Sequence, residues 1–199
     1  FANQVNALGR MRDAVLLNDI DLGDSELFSP IGNTANPYAG TFDGNDHKVT
    51  LHLTAEGNEG CGLFGNTSNA ELRSINVAGS IEGAQVQNTA GIVGNAVDTV
   101  IDGCINEADI ITGTGGGGAV GGIVGRMSIT TSEIPTAISN CVNKGRVVGS
   151  TGIGGIAGHM NGTATSSTVV TAMQDCSNYG AIEGANYIGG IAGATCGSI

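Results

Sequence analysis

The amino-acid sequence predicts an all-β fold, a parallel β-helix (β-solenoid) of about five coils, and three observations lead to this prediction. A Gly-x-x-Gly motif with two apolar central residues occurs five times, at intervals of 29, 31, 33 and 35 residues. Between the motifs, small or apolar residues alternate with polar ones. The 199 residues include 35 glycines and no tryptophan, so the core must be narrow. Self-similarity at this period is typical of chains built from stacked units.

Residues 1–60 lie before most of the repeats and are predicted to form a capping segment with the first strands. The helical spacing of Val5, Leu8 and Met11 favours a short helix over residues 1–12. Residues 14–22 are predicted to follow as a strand. A terminal coil exposes its core unless something covers it, so a cap is expected at this end.

The repeats occupy residues 61–199 and are predicted to form one continuous domain. At the corners of a coil the chain needs either a positive φ or a close approach of two backbones, and glycine allows both. The structural glycines of the five motifs are Gly62, Gly65, Gly91, Gly94, Gly122, Gly125, Gly155, Gly158, Gly190 and Gly193.

A second set of residues repeats between the glycine motifs with the same period. Each of three equivalent cysteines is followed by asparagine two positions later, by glycine or alanine after four, and by an apolar residue after six. This spacing is the alternation of a strand, so the side chains share one face, which we expect to look inward. The predicted inward ladder comprises Cys104, Cys141, Cys176, Asn106, Asn143 and Asn178.

The same alignment predicts pairs of opposite charge on the outer face. If Cys104 and Cys141 are stacked, Glu107 lies over Lys144, and Asp109 lies over Arg146 two positions later. A shift of one residue would turn these charges inward and the apolar columns outward, which is untenable. The charge pairs therefore test the repeat alignment.

The five cysteines are predicted to be reduced thiols that act as small hydrophobic residues. The sequence contains no C-x-x-C pair for a structural zinc site. Stacked cysteines would come close together, but parallel side-chain vectors suit the geometry of a disulfide poorly. Cys61 and Cys196 lie beside glycine motifs near opposite ends of the array.

Composition excludes some classes of partner. The net charge is −11 and only two lysines and five arginines are present, so few cations could replace the counterions of nucleic acid. No apolar run approaches the roughly 18–20 residues needed to cross a bilayer, so no membrane insertion is predicted. The sequence starts abruptly and stops after the fifth motif, and we expect the natural protein to continue.

Several motifs, taken in order, resemble the GLUG-motif family of bacterial secreted and cell-surface proteins. The segments that carry the resemblance are residues 17–22, 30–32, 38–45, 62–65, 176–180 and 189–193. The sequence departs from the family at Asp46, where a glycine usually precedes the histidine. The resemblance implies an extracellular module of adhesin-like proteins, or an accessory segment of some IgA-cleaving metalloproteases. The family has no catalytic residues that could be transferred to this sequence.

An enzyme is the less favoured reading. Parallel β-helices include polysaccharide lyases and hydrolases, which cluster outward carboxylates and cations across neighbouring coils. Here outward carboxylates are sparse, and neither a bound cofactor nor a bound metal is predicted. Calcium or a turn-capping role would each suit the densest acidic group. This group comprises Asp19, Asp21, Asp24, Asp43 and Asp46.

Two further apparent motifs carry little weight. The glycine run at 113–118 is not followed by the helix that a dinucleotide-binding fingerprint requires. The three histidines His47, His52 and His159 have neither metal-ligand spacing nor a predicted nucleophile nearby.

Insertions lengthen two of the repeats. The distance from motif glycine to column residue is 10 in the first two copies, then 16 and 18. The added residues, 127–136 and 160–171, are predicted to protrude from the same side of consecutive coils, where solenoids often bind partners. Plain solvated loops are the other interpretation of these inserts. The sequence therefore predicts a secreted or cell-surface module that acts as an adhesive or spacer segment, and if it binds a host protein or glycan, the inserts are the expected contact. The alternative is an accessory arm of a secreted protease or glycan-acting enzyme.

Overall fold

The computed structural model describes residues 1–9, 13–23, 28–54, 60–83, 88–113, 118–130, 136–162 and 171–197. Within these ranges nearly all regular structure is β, and every pair of neighbouring strands is parallel. The predicted fold class, a parallel β-solenoid of about five coils, is confirmed. No helix in the described part of the chain is long and apolar enough to span a membrane.

The described residues form one helix and a series of short strands. In chain order these are α1 (Ala2–Leu8), β1 (Ala14–Val15), β2 (Ile20–Asp21), β3 (Thr41–Asp43), β4 (Lys48–Thr54), β5 (Phe64–Ser68), β6 (Glu71–Arg73), β7 (Asn76–Gly83), β8 (Thr89–Ala90), β9 (Val93–Val97), β10 (Val100–Asp102), β11 (Ile105–Asn106), β12 (Asp109–Thr112), β13 (Val120–Gly121), β14 (Val124–Ile129), β15 (Thr136–Ser139), β16 (Val142–Asn143), β17 (Val147–Val148), β18 (Thr151–Gly154), β19 (Ala157–Gly162), β20 (Thr171–Gln174), β21 (Ser177–Asn178), β22 (Ile182–Glu183), β23 (Asn186–Gly189) and β24 (Ala192–Gly197).

These strands build four sheets, and from β6 onward the chain visits all four in the same order on every turn. Sheet I has the order β1-β3-β6-β10-β15-β20, and sheet II contains β2, β4, β7, β11, β12, β16, β17, β21 and β22. Sheet III has the order β8-β13-β18-β23, and sheet IV has the order β5-β9-β14-β19-β24. We number the coils 1 (41–68), 2 (71–97), 3 (100–129), 4 (136–162) and 5 (171–197); a partial coil with β1 and β2 precedes them.

The core consists of columns of similar side chains stacked from coil to coil. In sheet I, Leu72, Ile101, Ile138 and Met173 are in register. The first three are fully buried. Because parallel strands lie about 4.8 Å apart, an inward position must accept a similar side chain directly above it. The period-2 pattern of the sequence therefore translates into continuous apolar columns.

The N-terminal segment differs in detail from the prediction. The helix covers Ala2–Leu8 and ends where Gly9 adopts a left-handed conformation with φ 57°, while residues 10–12 of the predicted range lie outside the described residues. Residues 14–22, predicted as one strand, form the separate strands β1 and β2. These strands pair with different sheets, so the chain must turn a corner between them.

Large rings are concentrated at this end of the solenoid. The ring centroids of Tyr38 and Phe64 lie 5.3 Å apart, and those of Phe42 and Phe64 lie 5.2 Å apart. Phe1, just before α1, packs edge-on against Tyr38 at 6.0 Å. Aromatic pairs at these separations stabilise beyond their buried area. The cluster closes the coil-1 end of the core.

The strand predicted to run through Asn106 is interrupted in coils 3 to 5. The Asn106 amide donates to Ala108 O at 2.9 Å and accepts from Ala108 N at 3.2 Å, which holds the backbone in a bend between β11 and β12. In coil 2, Val77 occupies the equivalent position and β7 runs on without a break, with φ 105° at Gly79. A short amide side chain competes with the strand ladder for local backbone groups.

The predicted inserts begin too early. Residues 127–129 and 160–162 belong to β14 and β19, and they are paired in register. Met127, Ile129 and Met160 are buried, because the inward alternation of sheet IV continues through them. Thr136 and Thr171, at the other end of each predicted insert, belong to β15 and β20, and residues 131–135 and 163–170 lie outside the described residues.

Nine of the ten motif glycines are required by close packing, the exception being Gly190, and none of the ten has a positive φ. A Cβ atom at Gly122 would lie 2.2 Å from Gly155 O and 2.5 Å from Asn143 Oδ1. A Cβ atom at Gly125 would lie 2.7 Å from Gly94 O. Backbones of adjacent coils thus approach too closely for any side chain at these positions.

Replacing Gly122 by alanine should destabilise the protein by at least about 1–3 kcal/mol, the usual cost of overpacking a core. Gly190→Ala is the matched control, since no described atom lies within 4 Å of its Cβ position, and it should change stability by less than about 0.5 kcal/mol. Urea unfolding followed by circular dichroism measures both. Equal effects of the two substitutions would contradict the close-packing role.

Candidate functional site

A ladder of asparagine side chains runs along the inside of sheet II. Asn106 and Asn143 are fully buried, and Asn178 is half-buried in the last coil. Asn106 Nδ2 donates to Asn143 Oδ1 at 2.8 Å, and Asn143 Nδ2 donates to Asn178 Oδ1 at 2.7 Å. Each Nδ2 also donates to the backbone oxygen two residues later, on Ala108, Gly145 and Gly180 respectively.

This ladder satisfies buried amides that would otherwise be costly. A buried polar group without a partner costs about 1–3 kcal/mol, so each amide depends on those above and below it. Both donations between coils run toward coil 5, which gives the ladder a direction. The asparagines lie on the inward face, where the alternation predicted them, and their role in this arrangement is structural.

The cysteine column lies next to the asparagines. All five cysteines of the chain are free thiols; Cys61, Cys104 and Cys141 are buried, and Cys176 is half-buried. Burial raises the pKa of Cys61 to about 12. Hydrogen bonding to the neighbouring Cys104 thiol, together with burial, raises the pKa of Cys141. These groups stay protonated at neutral pH and therefore make poor nucleophiles.

Cys196 differs from the other four, and the sequence reasoning missed its partner. Cys196 is exposed, and its Sγ lies 3.4 Å from His159 Nε2. Burial, with a smaller contribution from the charge of Arg126, lowers the pKa of His159. The register of β19 and β24 places the two residues on one face, which could have been found by extending the repeat alignment to 196. Among the described residues no hydrogen bond to Nδ1 orients the ring, so the contact falls short of a catalytic triad.

In native protein, Cys196 should react first with a thiol reagent such as DTNB, because it is exposed. Cys61, Cys104 and Cys141 should react only after unfolding, because the folded chain excludes the reagent. Cys196→Ser should remove the fast phase of the reaction. The number of thiols that react in denaturant should then be four. Oxidation of Cys104, Cys141 or Cys176 in unreduced, denatured protein would contradict the free-thiol column.

Charged side chains form a stripe on the outer face of sheet II. Glu107 Oε1 accepts from Lys144 Nζ at 3.0 Å, as the repeat alignment predicted, and Glu107 Oε2 accepts from Lys48 Nζ at 2.6 Å. The predicted Asp109–Arg146 pair is different: Asp109 accepts from the backbone N–H of Arg146 at 2.9 Å. The Arg146 guanidinium reaches coil 5 instead and binds Glu183 through two hydrogen bonds, of 2.9 and 2.8 Å.

The charged stripe should make the free energy of unfolding depend on pH in the acidic range. Hydrogen bonds from Lys48 and then Lys144 lower the pKa of Glu107 below its ordinary 4.5, so its contribution is fully present above pH 4.5 and is lost as pH falls through the folded pKa. Glu107→Gln should cost less than about 1 kcal/mol at pH 7, because the ion pairs are partly exposed. The difference in the free energy of unfolding between Glu107→Gln and wild type should be smaller at pH 3 and in 1 M salt.

Glu82→Gln is the control for this acid effect. Glu82 is exposed on the same sheet and forms no ion pair within the described residues. Urea unfolding across the pH range should show almost no effect of this substitution. A Glu107→Gln penalty that stays constant from pH 7 to pH 3 would contradict the assigned role of the ion pairs.

The acidic N-terminal residues serve neighbouring backbone and side chains. Asp19 accepts from Lys48 N at 3.0 Å and lies 3.1 Å from His47 Nδ1, and these contacts lower its pKa. Asp21 caps Gly23 N, and Asp43 accepts from Asn45 N. Asp24 lies outside the described residues. Within the described chain no three His, Cys, Asp or Glu residues are arranged to hold a metal ion.

Asn45 and Asp46 form a tight turn with φ of 48° and 60°. His47 N donates to Gly44 O across this turn at 2.8 Å. The aspartate at 46 thus adopts a left-handed conformation that glycine adopts readily and that Asp and Asn tolerate best among the other residues. The departure from the GLUG pattern at this position leaves the turn intact.

The segments lengthened by insertion connect the same two sheets in coils 3 and 4. Before them, Ile129 pairs with Gly162 at the end of sheet IV; after them, Thr136 pairs with Thr171 at the start of sheet I. Both segments therefore begin and end at the same corner of the solenoid.

Comparison with known proteins gives a structural likeness and no family. The chain is similar to a crystal structure from Bacteroides ovatus of a protein provisionally named an immunoglobulin A1 protease, with a TM-score of 0.72 and 23% sequence identity. The likeness covers 94% of this chain and 57% of that one, so this chain spans little more than half of that protein. No family model and no curated protein matches the sequence. At this identity the likeness shows the shared fold alone.

Proposed function

We propose that this chain is a non-catalytic β-solenoid module of a secreted or cell-surface protein, in which it acts as an adhesive or spacer segment. The observation that carries the proposal is the unbroken parallel pairing of sheet I from the partial first coil to coil 5, around a buried core. Five coils at about 4.8 Å each give a stiff rod roughly 24 Å long. A rod of this kind holds attached segments at a fixed distance.

The extracellular location is supported by the resemblance to the GLUG-motif family. Two of its segments are the glycine motifs, and the structure gives these a physical role at coil contacts. The net charge of −11 and the stripe of ion pairs on the outer face of sheet II suit a module whose surface is solvated.

Adhesion, in this proposal, occurs at the corner where the two inserts leave the solenoid. The predicted contact regions are 127–136 and 160–171, and the proposal assigns contact to residues 131–135 and 163–170, which lie between the strands. Two segments that leave from stacked positions can engage one ligand together, which favours a host protein or a glycan chain over a small molecule.

The second candidate is an accessory arm of a secreted protease or glycan-acting enzyme. It is favoured by the likeness to a longer protein with a protease name, of which this chain covers 57%. In that role the rod would position a separate catalytic domain or its substrate, and the chain alone would bind without cleaving.

A binding assay with a matched variant tests the proposal. Residues 131–135 and 163–170 are replaced by Gly/Ser segments of equal length, and wild type and variant are compared on arrays of host matrix proteins and glycans. We expect wild type to bind, the variant to lose at least about tenfold in affinity, equivalent to 1.4 kcal/mol, and the melting temperatures to agree within a few degrees.

Glu107→Gln is the control for general surface effects and should bind as wild type does. Binding by neither chain favours the spacer role over the adhesive one. Cleavage of immunoglobulin A or of a polysaccharide by the chain alone, with turnover, would overturn the non-catalytic assignment.

A further inference from the structure

The C-terminal face of coil 5 has the composition of a core but the exposure of a surface. Ile188 and Ile191 are 47% and 40% exposed, whereas Ile153 and Ile156, the residues beneath them in coil 4, are fully buried. The strands of coil 5, β20 to β24, form the edge of every sheet. An apolar edge of this kind is a ready template for pairing with another strand.

The asparagine ladder shows which hydrogen-bonding group would fit against the edge of coil 5. Asn106 Nδ2 and Asn143 Nδ2 each make two donations, one to a backbone oxygen in their own coil and one to the asparagine of the next coil. Asn178 Nδ2 donates within the described residues to Gly180 O alone, at 3.1 Å. Its second hydrogen points along the ladder and calls for an acceptor one strand spacing away.

The motif glycines give a second, independent indication. A Cβ atom at Gly91 would lie 2.0 Å from Asn106 Oδ1, and one at Gly155 would lie 2.3 Å from Asn178 Cγ. In each case the glycine makes room for the asparagine of the following coil. Gly190 occupies the same place in coil 5, yet no described atom lies within 4 Å of its Cβ position.

We propose that this face is a docking surface for one further coil with the chemistry of the same repeat, including an asparagine at the stacked position. An asparagine of that coil stacks on Asn178, accepts from its Nδ2 and fills the space over Gly190. The apolar residues of the coil cover Ile188 and Ile191 and continue the columns of the core.

A second copy of the chain fits this face poorly in either orientation. Stacked head to tail, the copy would present the N-terminal end of the column that contains the asparagines. At that end Ile20, Val49 and Val77 are in register and offer no side-chain acceptor. Stacked tail to tail, each copy would oppose the amide donor of Asn178 to another donor. Of the three arrangements, an added coil with the repeat chemistry is the one that offers the Asn178 amide a protein acceptor.

The test uses the full chain with a built sixth coil. Gly162 pairs with Gly197, so a second copy of residues 163–197 inserted directly after Gly197 continues the stack in register. In a matched version, the duplicated copy of Asn178 is changed to leucine. The extended chain should melt at a higher temperature than wild type, and the leucine version should melt roughly 2–4 °C or more below the extended chain, the shift that a single unpaired buried amide produces.

Gly190→Ala gives a readout that does not depend on a general gain in stability. It should be tolerated in the original chain and should destabilise the extended chain, because the new Cβ atom meets the docked asparagine. Equal effects of Gly190→Ala in both backgrounds, or equal melting of the asparagine and leucine extensions, would overturn the proposal.

Two further measurements keep the result interpretable if an extended variant folds incompletely. Amide hydrogen exchange in coil 5 should slow in the extended chain, and unchanged exchange there would count against docking. Sedimentation of the unextended chain should show a monomer; a dimer that Gly190→Ala disrupts would overturn the assignment by showing that a second copy covers the face. The proposal is independent of ligand binding at the inserts, so failure of either leaves the other standing.

Discussion

Each interior side chain must fit directly beneath a similar one, a single strand spacing away, and this constraint shapes the whole molecule. Leu72, Ile101 and Ile138 form such a column, and the thiols of Cys104 and Cys141 form another. Residues that stack well on themselves are favoured: small aliphatic groups, thiols, and amides that both donate and accept. The same spacing brings backbones together at the corners, where the motif glycines lie.

The glycine motif and the asparagine column are two halves of one device. Gly122 has no side chain because the amide of Asn143 lies against it, and Gly155 stands in the same relation to Asn178. In each pair, the need for glycine comes from the following coil, including its asparagine, and not from a contact within the glycine's own coil. The repeat is therefore encoded across the boundary between coils, and its paired residues lie 15, 21 or 23 positions apart, with Gly91 and Asn106 as the first pair.

The sequence was sufficient to predict the features that follow from the two-residue alternation of inward and outward side chains in a strand. The alternation located the inward columns and paired Glu107 with Lys144 across coils. It could not show that Arg146 reaches Glu183, because a long side chain can choose between the coil before and the coil after. It also missed the bend after Asn106 and the contact of His159 with Cys196, since both depend on local geometry that residue spacing does not contain.

The aromatic cluster of Tyr38, Phe42 and Phe64 makes the two ends of the rod unequal. In a solenoid each coil contacts only its neighbours, so folding can start in one place and spread. The rings bury large area near the start of the chain, while the last coil is thinly covered. The first coils can thus form a seed against which the following coils stack, each on its neighbour.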